Sequence, residues 1–378
     1  MDGDLFTPYS QYWWMDGWRM YPPLHMWWYT YNYWVYELNL DIWRLLNVLL
    51  EIGIVFVMIK IFEENKNTEA GWNEDHFKIG LSFYIFSIFP IYTIILQAHI
   101  TAFPVLLAMI GFLYYFRSKT DSRYLYHAIF FFSLGALALY FTAIWILGIL
   151  LCLLFQQKFK RLVVLSGEVV VIFCLGCLPM LINDALGFME RLFWVYSPFM
   201  LEYWNGSIWA INHDILGLLP AILAISLCSI YIYKNYKQEI GLDFFIVILS
   251  IFFFFSPQFC PWYYLWIFPF ISISIIYSFR KYFITNLFFL GFFFFFMLLF
   301  AIAFLTYPNT LSTNWIVVWG TILPYMETNG FFLILQLFIH LLYYIGFIYL
   351  IYAYTKSKQL LLGLIVPFAI FYAMNFFI

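Results

Sequence analysis

An all-α, polytopic transmembrane bundle of about 12 helices is what this sequence predicts, on three observations. Hydrophobic side chains make up 65% of the 378 residues and charged ones only 10%, against roughly 25% charged in ordinary soluble domains. Fifteen of the eighteen Lys and Arg residues fall in six short loops: Lys60, Lys66 and Lys78; Arg117, Lys119 and Arg123; Lys158, Lys160 and Arg161; Lys234 and Lys237; Arg280 and Lys281; Lys356 and Lys358. Between these loops lie apolar runs of membrane-spanning length. Cytoplasmic loops retain Lys and Arg, so the alternation assigns a side to every loop. The net charge of −2 and the lack of a basic patch outside these loops exclude nucleic acid as a partner.

A crossing takes about 20 apolar residues. Candidate spans are 42–62, 77–96, 101–116, 162–182, 214–233, 243–255, 263–279, 284–306, 331–354 and 360–377. Residues 124–155 behave differently, because Arg123 precedes them and Lys158 follows, so both ends belong on the cytoplasmic side. At 1.5 Å per residue this run makes about 48 Å of helix, too little for two full crossings of about 30 Å each. Two shortened helices hinged near Leu139–Thr142 satisfy both constraints, provided that protein or a polar cavity covers the turn.

The outer segments are then 1–41, 97–100, 183–213, 256–262 and 307–330. Segment 1–41 is dense in Trp and Tyr, which favour the water–lipid boundary. It is expected to form an outer-face loop ahead of a transmembrane domain over 42–378. In 183–213, Leu186, Met189, Phe193 and Tyr196 recur at helical spacing, predicting an amphipathic helix in the interface plane. Arg19, Arg44 and Arg191 are the outer-side exceptions to the charge rule. They pair with neighbouring acids or lipid phosphates, or they bind an anionic substrate group. The Phe-rich runs Phe252–Phe255 and Phe292–Phe296 read as lipid-facing filler.

The cysteines give no disulfide framework. Cys174 and Cys177 form a CxxC inside an apolar span, where packing is the expected role. His25, His99 and His213 are outer, but no HxxxH or HExxH spacing supports a metal. Glu51 and Glu168 fall within spans, where an ionisable group is expensive. Glu51 is seven residues from Arg44, so the two share a helix face, expected to turn toward the protein interior. The outer acids include Asp2, Asp4, Asp16, Glu37, Asp184, Glu190, Glu202 and Glu327; these are the carboxylates available for general-base work.

Three stretches are similar to the GT-C glycosyltransferases, polytopic enzymes that take a sugar from a polyprenyl-phosphate carrier. The first, Asp4 to Leu24, reads DLFTPYSQYWWMDGWRMYPPL and resembles the family's first outer loop, with Asp4, Gly17, Tyr21, Pro22, Pro23 and Leu24 at its pattern positions. The second, ILQAHITAFPVLLAMIGFLYY, resembles a Gly-Gln turn entering an apolar helix; Gln97 matches, whereas Leu96 stands where the family has Gly. The third begins at Ser256, SPQFCPWYYLWIFPF, and aligns Gln258, Tyr263, Trp266 and Pro269. Relatives carry a basic residue near the short hairpin, where this chain reads Leu139-Tyr140-Phe141-Thr142.

The resemblance implies a membrane glycosyltransferase, mannosyltransferase-like, acting on the extracytoplasmic or luminal face of a multi-pass protein in a prokaryotic plasma membrane. Its donor would be a polyprenyl- or dolichyl-phosphate sugar and its acceptor a glycan, lipid or protein; membrane lipids surround it. The resemblance nominates Asp4 as catalytic, with Asp16 second. Tyr21, Pro22, Pro23, Gln97, His99, Arg191, Gln258, Tyr263 and Trp266 are the expected substrate-binding residues. Gln97, His99, Gln258, Tyr263 and Trp266 are expected to converge beneath the loop containing Tyr21–Pro23. A transporter or lipid flippase is the alternative, although no inverted repeat with broken spans is evident. Because Asp4 lies three residues from Met1, a further span is expected upstream of the sequence; a carboxylate at a frayed end would lack the rigid support that catalysis requires.

Overall fold

The computed structural model of the protein describes residues 24, 40–66, 74–86, 102–139, 141–194, 219–237, 241–255, 264–277 and 330–374. Among the described residues the fold is all-α, with eleven helices and no strand. In chain order they are α1 (Leu40–Asn65), α2 (Glu74–Ile85), α3 (Ala102–Arg117), α4 (Tyr124–Ala138), α5 (Phe141–Phe155) and α6 (Phe159–Trp194), then α7 (Leu219–Asn235), α8 (Leu242–Phe255), α9 (Tyr264–Tyr277), α10 (Gly330–Thr355) and α11 (Lys358–Met374). Each expected span carries a helix over at least part of its length, except 284–306, which lies outside the described residues. Two helical stretches, Leu45–Asn65 and Phe159–Pro179, are long and apolar enough to cross a membrane.

The helix ends follow local chemistry. Glu74 and Asp75 occupy the first turn of α2, where carboxylates complement the exposed N–H dipoles. Ser357 caps α11, its Oγ accepting from the Leu360 N–H at 3.3 Å. α5 ends with Gln157 in the left-handed region (φ 58°), and the Lys158 N–H reaches back to the Leu153 carbonyl at 2.9 Å. This closure usually uses Gly.

The short hairpin forms as the charge pattern requires. α4 and α5 have 15 residues each, about 22 Å of helix. Leu139 breaks the pair in an extended conformation (φ −161°, ψ 130°), its N–H bonded to the Gly135 carbonyl. The Thr142 hydroxyl donates to the Phe132 carbonyl at 2.8 Å, stitching the first turn of α5 to α4. Gly135 is needed there, because a Cβ on it would lie 3.1 Å from Thr142.

Two sequence expectations are corrected. The span at 162–182 and the first part of the interfacial segment at 183–213 are one helix, the 36-residue α6, which runs through Pro179 to Trp194. Pro179 removes one backbone bond, a loss the helix bears without ending, and Met180, Leu181, Ala185 and Leu186 beyond it favour helix. Phe253, Phe254 and Phe255 are not lipid-facing filler: they are 1%, 0% and 2% exposed. Phe254 packs edge-on against Tyr344 of α10 at 5.4 Å. A run of Phe on a central helix has neighbours on all sides, and periodicity cannot reveal that.

α8 is the centre, in contact with α5, α7, α9 and α10. Trp145 of α5 is fully buried against it and donates from Nε1 to the Phe245 carbonyl at 3.1 Å. Small residues allow the close crossings. A Cβ on Gly111 would lie 2.7 Å from the Phe132 ring, one on Gly176 2.5 Å from Leu137, and one on Gly148 3.0 Å from Ile248.

One end of the bundle gathers the basic residues. Arg117, closing α3, forks onto Glu64 near the end of α1, with Nε 2.8 Å from Oε2 and Nη2 on Oε1. Phe62 stacks on Phe77 at 4.2 Å, joining the end of α1 to the start of α2. Gln156, just past α5, donates to the Tyr236 carbonyl after α7 at 2.6 Å. Lys234 of α7 bonds Gln359 of α11. Five of the six basic loops seen in the sequence therefore meet at this end; Arg280 and Lys281 lie outside the described residues.

Candidate functional site

At the opposite end from the basic residues, the hairpin tip meets the start of α9. Trp266 stands in the first turn of α9 and stacks on Phe141, the first residue of α5, with ring centroids 4.7 Å apart and planes 19° apart. Phe253 of α8 packs on Trp266 at 5.6 Å. The third sequence motif thus leads directly onto the hairpin turn. Trp266 is 5% exposed, so its ring is a wall behind that motif more than an open platform.

The other expected residues divide into two groups. Asp4, Asp16, Tyr21, Pro22, Pro23, Gln97, His99, Gln258 and Tyr263 lie outside the described residues. Arg191 falls in the last turn of α6 as backbone, its side chain outside the described set. The structure therefore brings Trp266 to the hairpin tip and leaves the wider convergence to experiment.

A polar cluster at the same level was not singled out as functional from the sequence. The buried stripe of α1 runs Asn47, Glu51, Ile54, Met58, Ile61, with Asn47 2% and Glu51 9% exposed. Its lipid-side stripe is Leu45, Val48, Leu49, Ile52 and Phe56, all exposed. Glu51 is 14 residues from the end of α1 at Asn65, about 21 Å, and so is level with the tip of the 22 Å hairpin. Side-chain contacts agree. Tyr84 donates from its hydroxyl to Glu51 Oε2 at 2.5 Å, and its ring packs on Phe268 at 5.7 Å, two residues along α9 from Trp266.

Glu51 is buried, as a face turned to the protein interior requires, and its partner among the described residues is Tyr84; the Arg44 side chain lies outside the described residues. Sequence spacing showed the shared face but not which neighbouring helix would supply the partner. The Asn47 amide Nδ2 is buried and has no hydrogen-bond partner among the described residues. The signal that could have found the pair is their separation of four residues, which places both on one face in a helix otherwise apolar at its middle.

Ion pairs shift the titration of groups at the basic end. Hydrogen bonding to Glu64 holds the Arg117 guanidinium above its ordinary value against partial burial. Hydrogen bonding to Lys78 holds the exposed Glu74 carboxyl below the usual 4.5. No protein family, characterised protein or solved structure matches the chain.

Proposed function

We propose that the chain is a multi-pass membrane glycosyltransferase of GT-C type, built from about 12 membrane helices. It transfers a sugar, mannose in the first instance, from a polyprenyl-phosphate carrier to an acceptor hydroxyl on the extracytoplasmic face. The basic end of the bundle is the cytoplasmic one. One observation carries the reading beyond sequence resemblance: Trp266, from the third motif, stacks on the tip of the short hairpin. Segments far apart in sequence are thereby joined at the end where the outer motifs belong.

The reaction needs little from the protein besides geometry and one base. The acceptor oxygen attacks the anomeric carbon as its proton passes to a carboxylate, for which Asp4 is the first candidate and Asp16 the second. The anomeric carbon–oxygen bond breaks, and the carrier phosphate leaves as an anion. Cationic or amide donors stabilise that charge without a general acid. Arg191, Gln97 and Gln258 are the candidates for this role, and Tyr263 and His99 would bond sugar hydroxyls. Trp266 anchors the start of α9 on the hairpin tip. A donor with a long apolar tail explains why the catalytic module is embedded in lipid.

The test is incubation of membranes containing the protein with radiolabelled polyprenyl-phosphate mannose and glycan, lipid and peptide acceptors. Label transfer that depends on the protein is the expected result. Movement of the intact carrier between leaflets without transfer would replace this reading with a flippase.

A further inference from the structure

We infer that Asn47, Glu51 and Tyr84 form a binding site for a neutral, hydroxyl-bearing ligand group, a sugar hydroxyl or vicinal hydroxyl pair. The site lies beside the hairpin tip. The proposal rests on the transferase reading for the identity of the ligand, but not for the existence of the site.

The chemistry follows from unmet bonding capacity. A buried amide N–H without a partner carries a desolvation cost, and native structures seldom tolerate it without a reason. Asn47 Nδ2 is such a donor. One turn away, Glu51 has one carboxylate oxygen engaged by Tyr84 and a second oxygen able to accept. A donor and an acceptor on one helix face, about 5–6 Å apart at Cβ, fit a hydroxyl group. Its oxygen accepts from Asn47 while its proton is donated to Glu51. A phosphate fits poorly, because it offers only acceptors and meets a carboxylate. A bare cation would satisfy Glu51 and leave the amide donor unpaired.

The location suits a sugar as well. Asn47 is 18 residues from Asn65, about 27 Å from the basic end, in a hydrocarbon core of about 30 Å. A ligand arriving from the far face therefore reaches Asn47 within the first turn or two. The contacts from Tyr84 to Phe268 and from Trp266 to Phe141 set apolar rings in the same layer. These rings are buried and form an apolar wall behind Glu51.

The experiment uses full-length protein in nanodiscs, with octyl β-mannoside, octyl phosphate and octanol as probes and intrinsic fluorescence as the readout. Thermal unfolding of each variant is measured in parallel. Saturable binding of octyl β-mannoside is expected in the wild type. It should weaken about tenfold or more in Glu51→Gln and in Asn47→Ala, as loss of a hydrogen bond to a charged or buried group implies. Octanol should not compete. Equal binding in wild type and both variants, or equal competition by octyl phosphate, overturns the proposal. So does a wild type that binds no octyl β-mannoside, which would leave a bridging water as the partner of Asn47. Should Glu51→Gln fail to fold, Asn47→Ala decides alone. Binding that depends on Asn47 and Glu51, without any sugar transfer by the wild type, would sink the transferase reading and keep the site. Transfer with unchanged KM in both variants would do the reverse.

Discussion

The two ends of the bundle use polar residues in opposite ways. At the basic end charged and amide groups bridge neighbouring helix termini. Arg117 forks onto Glu64, Gln156 holds the Tyr236 carbonyl and Asn65 Nδ2 returns to the Ile61 carbonyl at 2.7 Å. At the hairpin-tip end aromatic rings do the packing, and a buried amide is left with an open donor. Charge at the first end ties helix termini together. Among the described residues at the second, Asn47 and Glu51 are buried and the Asn47 donor is left open, the pattern of groups that wait for something to bind.

The largest expected effect lies on the tip side. Under the proposed mechanism Asp4→Asn keeps size and hydrogen bonding while removing basicity, so turnover should fall by about 10²–10⁴-fold. Single-turnover transfer at matched expression checks this, and near-normal turnover would move the assignment to Asp16. Next comes the shared core: Trp145→Ala removes a fully buried indole and its bond to Phe245. It should cost on the order of 3 kcal/mol, read as a lower unfolding midpoint in nanodiscs.

Overpacking the α3–α4 crossing is the third test. A Cβ at Gly111 would sit 2.7 Å from the Phe132 ring, so Gly111→Val should destabilise by about 1–3 kcal/mol, seen in the same unfolding assay. A smaller effect is expected at the basic end. Glu64→Gln breaks a partly exposed fork and should cost less than about 1 kcal/mol. If its effect matched that of Trp145→Ala, the contrast between the two ends would fail.

The smallest is a pH effect at Glu74. Its folded-state value is depressed, so its bond to Lys78 contributes above the unfolded value of 4.5 and is lost as pH falls through the folded one. Wild type and Glu74→Gln should therefore differ slightly at neutral pH and converge at acid pH in thermal unfolding.

Much of the fold was legible because two strong signals agree. Apolar runs gave the helices, and the basic loops forced residues 124–155 into a hairpin that breaks at Leu139. What was hidden involves neighbours. The burial of Phe253–Phe255 depends on α8 being central, and nothing within the run itself records which elements surround it. The pairing of Glu51 with Tyr84 spans 33 residues and two helices, which the position of Glu51 along α1 does not reveal. Pro179 reads as a break along the chain, yet α6 continues through it to Trp194. At the candidate site, the motif pattern selected Trp266, which the fold brings to the hairpin tip; Asn47 carried no motif and became visible only through its missing partner.

The hairpin also bears on how the chain enters a membrane as it is synthesised. Its turn at residues 139–140 carries no charge, and the Leu139 N–H is already bonded to Gly135. In the proposed orientation both flanks, Arg123 and Lys158, stay where they were made, so α4 and α5 can slide in together as one wedge. No hydrophilic loop has to be carried across, and the insertion machinery need not reverse direction between them.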